Sequence, residues 1–124
     1  MLRRYALILA GALSLGAAST GARAQDANAA DVRCLVVGLY TASGNDADQR
    51  TAGMMMTAYY LGRLDGRTPD LDLKTRLTDE VRRLTTAQLQ AEGARCSADM
   101  TMRAKAMDAL AGVLASQGGA PPAN

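Results

Sequence analysis

The chain has 124 residues, with 14 Lys or Arg against 12 Asp or Glu and no His, Trp or Phe. A length of this order suits one small domain. Without His there is no Ser-His-Asp or Cys-His nucleophilic system and no histidine zinc site, and two cysteines cannot complete a structural zinc site.

Residues 1–24 have the three parts of a secretory signal. Arg3 and Arg4 form a positive start, and an apolar run extends from Tyr5 to Leu15. A Gly, Ser and Thr-rich stretch then ends in the small-x-small pattern Ala22-Arg23-Ala24. Cleavage is expected between Ala24 and Gln25. The apolar run falls short of the roughly 20 residues that span a bilayer, and Gly11 and Ser14 dilute it, so no membrane attachment is expected after cleavage. The expected location is the periplasm or the extracellular space. Losing residues 1–24 removes Arg3, Arg4 and Arg23 and no acid, so 14 − 3 = 11 basic residues face 12 acidic ones and the balance turns to −1. With no Lys or Arg block left, a nucleic-acid partner is not expected.

The chain beyond the signal is poor in β-branched and aromatic residues and rich in Ala, Leu, Met, Gln and Arg, which predicts an all-α domain, a small four-helix bundle. Residues 25–30 are expected to be a flexible N-terminus, residues 31–116 the helical domain and residues 117–124 a disordered tail rich in Gly and Pro. The first helix is predicted to start at Asp31 as N-cap, with Val32, Leu35, Val36, Leu39 and Tyr40 on one face, and to stop at Gly44-Asn45. The second starts at Asp46 and runs through Met54, Met55, Met56, Tyr59, Tyr60 and Leu61 to Gly66; apolar nearly all round, it is the expected central helix. Thr68-Pro69 predicts the opening of a third helix with a buried stripe of Leu73, Leu77, Val81 and Leu84. Its other face carries i, i+4 pairs Asp72/Arg76, Arg76/Glu80 and Asp79/Arg83. Thr85 and Gln88 form a capping box for the last helix, along which Leu89, Cys96, Met100, Met107, Leu110 and Leu114 repeat toward Ser116, with Gly93 as a point of interruption. The sevenfold spacing of Met100, Met107 and Leu114 suits either a core or a dimer seam, leaving monomer and homodimer both open.

Cys34 and Cys96 lie on apolar helix faces. In an exported protein an even cysteine count points to a pair, here a disulfide joining the first and last helices rather than a C-x-x-C redox motif. The Met54-Met55-Met56 triplet raises Cu(I), a soft ion that thioethers bind. Consecutive helical residues point about 100° apart, so core filling or an adaptable partner surface is the preferred reading, and no metal or other cofactor is expected. Asn45-Asp46-Ala47-Asp48 and Asp70-Leu71-Asp72 lack the turn glycine and distal Glu of a calcium loop and read as helix N-terminal acids. No acid-base pair stands out, Asp65 beside Arg67 being the nearest approach, so no catalytic residue is assigned and the protein is not expected to be an enzyme.

The segment Tyr59-Tyr60-Leu61-Gly62-Arg63-Leu64-Asp65-Gly66, lying between two distant cysteines of an exported helical chain, resembles two families of small envelope proteins. One is the acid-stress chaperones of the HdeA type, and the other is the Rap1a/Tai family of immunity proteins, which neutralise toxins delivered into the periplasm. The resemblance implies a helical, disulfide-tied fold and action by binding other proteins; it transfers no functional residue. The expected function is therefore non-catalytic binding of an unidentified protein, chaperone-like or immunity-like, with Met54, Met55, Tyr59 and Tyr60 as the candidate partner surface. The alternative is a small metal- or ligand-binding envelope protein or a purely structural one.

Overall fold

The computed structural model describes residues 18–118; the first 17 residues of the expected signal, and the tail from residue 119, lie outside the described residues. Four helices succeed one another: α1 (Ala18–Ala42), α2 (Ala47–Arg67), α3 (Leu73–Arg83) and α4 (Thr86–Ser116), with no strand among the described residues. None of these helices is long and apolar enough to cross a membrane.

Two of the four helix starts arise from local capping chemistry alone. Asp46 Oδ1 accepts from the Gln49 backbone N–H at 2.8 Å, satisfying an orphan donor at the start of α2. At α4, Thr85 Oγ1 accepts from Gln88 N–H at 3.3 Å while the Thr85 N–H donates to Gln88 Oε1 at 2.9 Å, completing the capping box. Gly93 does not interrupt α4; it faces Val37 of α1 and lets the two helices approach.

The other two starts differ from expectation. Helix α1 does not start at Asp31: it is already formed at Ala18, the first described residue, so residues 25–30 are helical and the expected cleavage point Ala24–Gln25 lies within the helix. Ala and Gln supply helix propensity through this stretch, and Asp31 is a buried mid-helix residue whose carboxylate is held by arginines of α2. Helix α3 begins at Leu73 with Asp72 as N-cap, accepting from the Thr75 N–H at 3.0 Å. Hydrogen bonds from the Thr75 backbone and hydroxyl hold the Asp72 carboxyl below its usual range. Thr68 instead caps the end of α2, its N–H donating to Leu64 O at 2.8 Å, so Pro69 falls in the connecting turn. The i, i+4 pairs expected on α3 give way to a longer-range one, Glu80 with Arg33 of α1 at 3.6 Å, and to an i, i+3 pair of Arg82 with Asp79.

The central helix is α1, not α2: it packs against all three others. Its Val32, Cys34, Leu35, Val36 and Val37 are buried, and Met56, Tyr60 and Leu64 of α2 and Cys96 of α4 close over them. Burying such apolar side chains stabilises the fold by about 1.5–3 kcal/mol each. α1 and α2 meet backbone to backbone at Gly38 and Gly53, an approach only possible where neither has a Cβ. Cys34 and Cys96 form a disulfide with Cα atoms 5.5 Å apart, tying α1 to α4 as expected. Such bonds form and persist in oxidising compartments.

Periodicity misjudges how far burial extends. Leu39 and Tyr40, at the end of the α1 stripe, are exposed, as is Val81 on α3, and α3 contributes no fully buried residue. On α4 the apolar repeat is covered only as far as Met100; Met107, Leu110 and Leu114 are in solvent.

Candidate functional site

Two polar networks join the helices near the disulfide. The first joins α1, α2 and α4. Asp31 Oδ2 accepts from Arg67 Nη1 at 2.9 Å and pairs with Arg63 Nε at 3.2 Å. Arg67 Nη1 also donates to Asn28 Oδ1 at 2.9 Å, and Asn28 Nδ2 donates on to Thr68 Oγ1 at 2.9 Å. From the other side of Arg63, Nη1 donates to Asp99 Oδ2 at 2.8 Å, and the same carboxylate oxygen accepts from Tyr60 OH at 2.9 Å. The Arg63 guanidinium lies 5.5 Å from the Tyr59 ring centre and 5.4 Å from that of Tyr60, within cation–π range, and the two rings meet edge to face. Burial and the hydrogen bond to Asp99 push the Tyr60 phenol well above its ordinary value. Burial alone would lower Arg63, but Asp31 and its other partners hold it above the usual guanidinium value. Every buried side-chain nitrogen and oxygen among the described residues has a partner. Carboxylates engaged by arginines in this way hold the three helices together.

The second network sits over the disulfide. Arg95 Nε donates to Glu92 Oε2 at 2.7 Å, and Arg33 Nη1 donates to Glu92 Oε1 at 3.2 Å. Arg95 Nη2 reaches across to Ala30 O at 2.9 Å and Cys34 Sγ at 3.0 Å. Burial would raise Glu92, yet the hydrogen bonds and charges of Arg95 and Arg33 prevail and hold its carboxyl below the ordinary range. A carboxyl depressed in the folded state adds stability above its unfolded value, near 4.5, and loses that contribution as pH falls through the depressed folded value. Thermal midpoints measured from pH 7 to pH 2 are therefore expected to fall less steeply below about pH 4.5 in Glu92→Gln than in the native protein. Parallel curves would show that Glu92 is not coupled to folding.

Cys34, Cys96 and Glu92 also form a group of three metal-ligand residues whose donor atoms lie within 4.8 Å of one another. Both sulfurs are spent in the disulfide and Glu92 is engaged by two guanidinium groups, so the arrangement suits a structural tie better than a cation. The Met54-Met55-Met56 triplet diverges, with Met56 buried and Met54 and Met55 exposed.

The expected partner surface separates in the same way. Met54 and Met55 project outward, Tyr59 is half-buried beside Arg63, and Tyr60 is fully buried with its hydroxyl on Asp99, so it belongs to the core rather than to a surface. A more concave apolar site lies where the end of α1, the end of α3 and the start of α4 meet. Val36, Leu39, Tyr40, Ser43 and Val81 line an open cavity of about 200 Å³. Val36, Tyr40 and Val81 also border a second of about 210 Å³ that continues to Leu84, Thr85 and Leu89. Together they make one groove with an apolar floor and a few hydroxyls; the last turn of α3 next to it carries Arg83 and Arg82, the latter paired with Asp79. Periodicity assigns these apolar residues to the core. The signal that they gather at one end is the short connection between α3 and α4, which consists of Leu84 and Thr85 alone. Compared with known proteins, the chain matches no family model, no curated protein and no solved structure.

Proposed function

We propose that this is an exported, non-catalytic protein that works in the periplasm by binding another protein, in a chaperone-like or immunity-like manner, after removal of residues 1–24. The observation that carries this reading is the groove at Val36, Tyr40 and Val81, where Tyr40 and Val81 are 55% and 44% exposed and little other aromatic surface is found among the described residues. An apolar recess beside a basic helix end fits an apolar anchor side chain flanked by acidic residues. Exposed Met54 and Met55 add an adaptable apolar contact. The enclosed carboxylates argue against catalysis, because Asp31, Asp99 and Glu92 are each already held by a basic group.

The acid-chaperone branch draws support from the two networks, since both hold the helices together through carboxylates that must be ionised to attract their arginines. Acidification would neutralise the 12 acids, leave 11 positive charges on the processed chain and expose its Leu and Met faces.

The test uses the processed protein and its Val81→Asp variant, which places a charge at an exposed position of the groove. Native protein is expected to retain one stoichiometric partner from the cell envelope at neutral pH, and Val81→Asp to lose that binding about tenfold while keeping its far-ultraviolet spectrum. Undiminished binding by the variant would remove the groove as the binding surface.

A further inference from the structure

Beyond Asp99 and Met100, which pack against α2 and the core, every residue of α4 is exposed. The distal half of the helix, from Thr101 to Ser116, extends away from the bundle with Met102 at 65%, Met107 at 66%, Leu110 at 68%, Val113 at 52% and Leu114 at 65% exposure. An isolated helical segment of this length is marginal in water, and its stability ordinarily comes from burying an apolar face. The apolar residues are ordered for that purpose. Met107, Leu110 and Leu114 recur at three and four residues on one stripe, bordered by Val113 and by the small side chains of Ala104 and Ala111. The charges of the segment, Lys105 and Asp108, stand away from the stripe, and only Arg103 falls in line with it.

We propose that this stripe pairs with the same stripe of a second copy of the chain, the two helices running antiparallel about a local two-fold axis between Asp108 and Ala109. Arg103 decides the direction. In a parallel pair each Arg103 meets its counterpart in the seam, a like-charge contact that costs stability. In the antiparallel pair Met107 packs on Leu110 of the second copy, and Arg103 lies beside Leu114 of the second copy. There its aliphatic stem covers apolar surface while its guanidinium stays near Asp99, to which it is already 3.9 Å close. The small side chains of Ala104 and Ala111 beside the stripe let the backbones come close. Two such stripes bury together on the order of 1,000 Å², the lower end of a specific interface, and the contact is self-complementary as a two-fold dimer requires. The groove at Val36, Tyr40 and Val81 takes no part, so the dimer stands independently of the protein-binding reading.

Sedimentation velocity on the protein as recovered from the expressing cell tests this. The native protein is expected to sediment at twice the single-chain mass, Leu110→Glu to weaken self-association about tenfold or more, and Lys105→Glu, on the outer side of the helix, to leave it unchanged. Leu110 lies outside the buried core of the single chain, so the variant retains the bundle; Met107→Lys provides the same readout by a second substitution. A native protein of single-chain mass at all concentrations overturns the proposal, as does an undiminished dimer in both stripe variants.

Discussion

Replacing Gly53 by alanine is expected to lower the unfolding free energy by about 3 kcal/mol, the upper part of the range for overpacking a close contact. A Cβ at this position would lie 2.3 Å from Ala42 N, 2.7 Å from Gly38 O and 2.8 Å from Thr41 C, all backbone atoms of α1 that no rotamer change can move aside. The helices must then separate, and they carry with them the contacts of Val37 and Met56 with the core. Gly62→Ala is the control: it lies on the same helix with nothing within 4 Å of the added carbon, so better helix propensity should raise stability by about 0.5–1 kcal/mol. Urea unfolding of both variants with the disulfide intact measures the contrast. Equal midpoints for the two would mean that α1 and α2 are not in backbone contact.

The disulfide carries the second large effect. Closing a loop with a sequence separation of 62 residues restricts the unfolded chain by about 4 kcal/mol in the chain-entropy account. Against a total of about 5–15 kcal/mol for a domain of this kind, the Cys34→Ala/Cys96→Ala double variant is expected to lose roughly a quarter or more of its stability. Both sulfurs are fully buried, so alanines leave a small apolar gap rather than unpaired polar groups, and Arg95 keeps its bond to Ala30 O. A loss below about 1 kcal/mol in urea unfolding would show that the loop is already restricted in the unfolded chain.

The amino-acid order discloses those parts of this fold that depend on near neighbours. Asp46 with Gln49 and Thr85 with Gln88 are contacts over three residues, and both are where local chemistry places them. The cysteine pair is legible because only one pairing exists. Asp31 misleads for the opposite reason. An aspartate before an apolar run reads as an N-cap, whereas its partners Arg63 and Arg67 lie 32 and 36 residues away on α2, and nothing local announces them. The recurrence of Arg63 and Arg67 at i, i+4 beside two tyrosines is the one sign in the sequence that α2 turns a polar edge toward the core. Apolar periodicity also tells which side of a helix is greasy, not how much of it a neighbour covers. Leu39, Tyr40 and Val81 therefore read as core and instead border a groove, and the α4 repeat reads as a bundle seam and instead continues past the bundle.

Helix α3 buries no residue completely and is joined to the remainder chiefly through α1, by Leu73, Leu77 and the Arg33–Glu80 pair. An element so lightly held opens at a smaller free-energy cost than the disulfide-tied α1 and α4. One wall of the groove is thus the more easily opened, and the opposite wall is held by the disulfide. Under the proposed binding role, opening at α3 would fit the groove to anchors of differing bulk while the Cys34–Cys96 tie keeps the other wall in place.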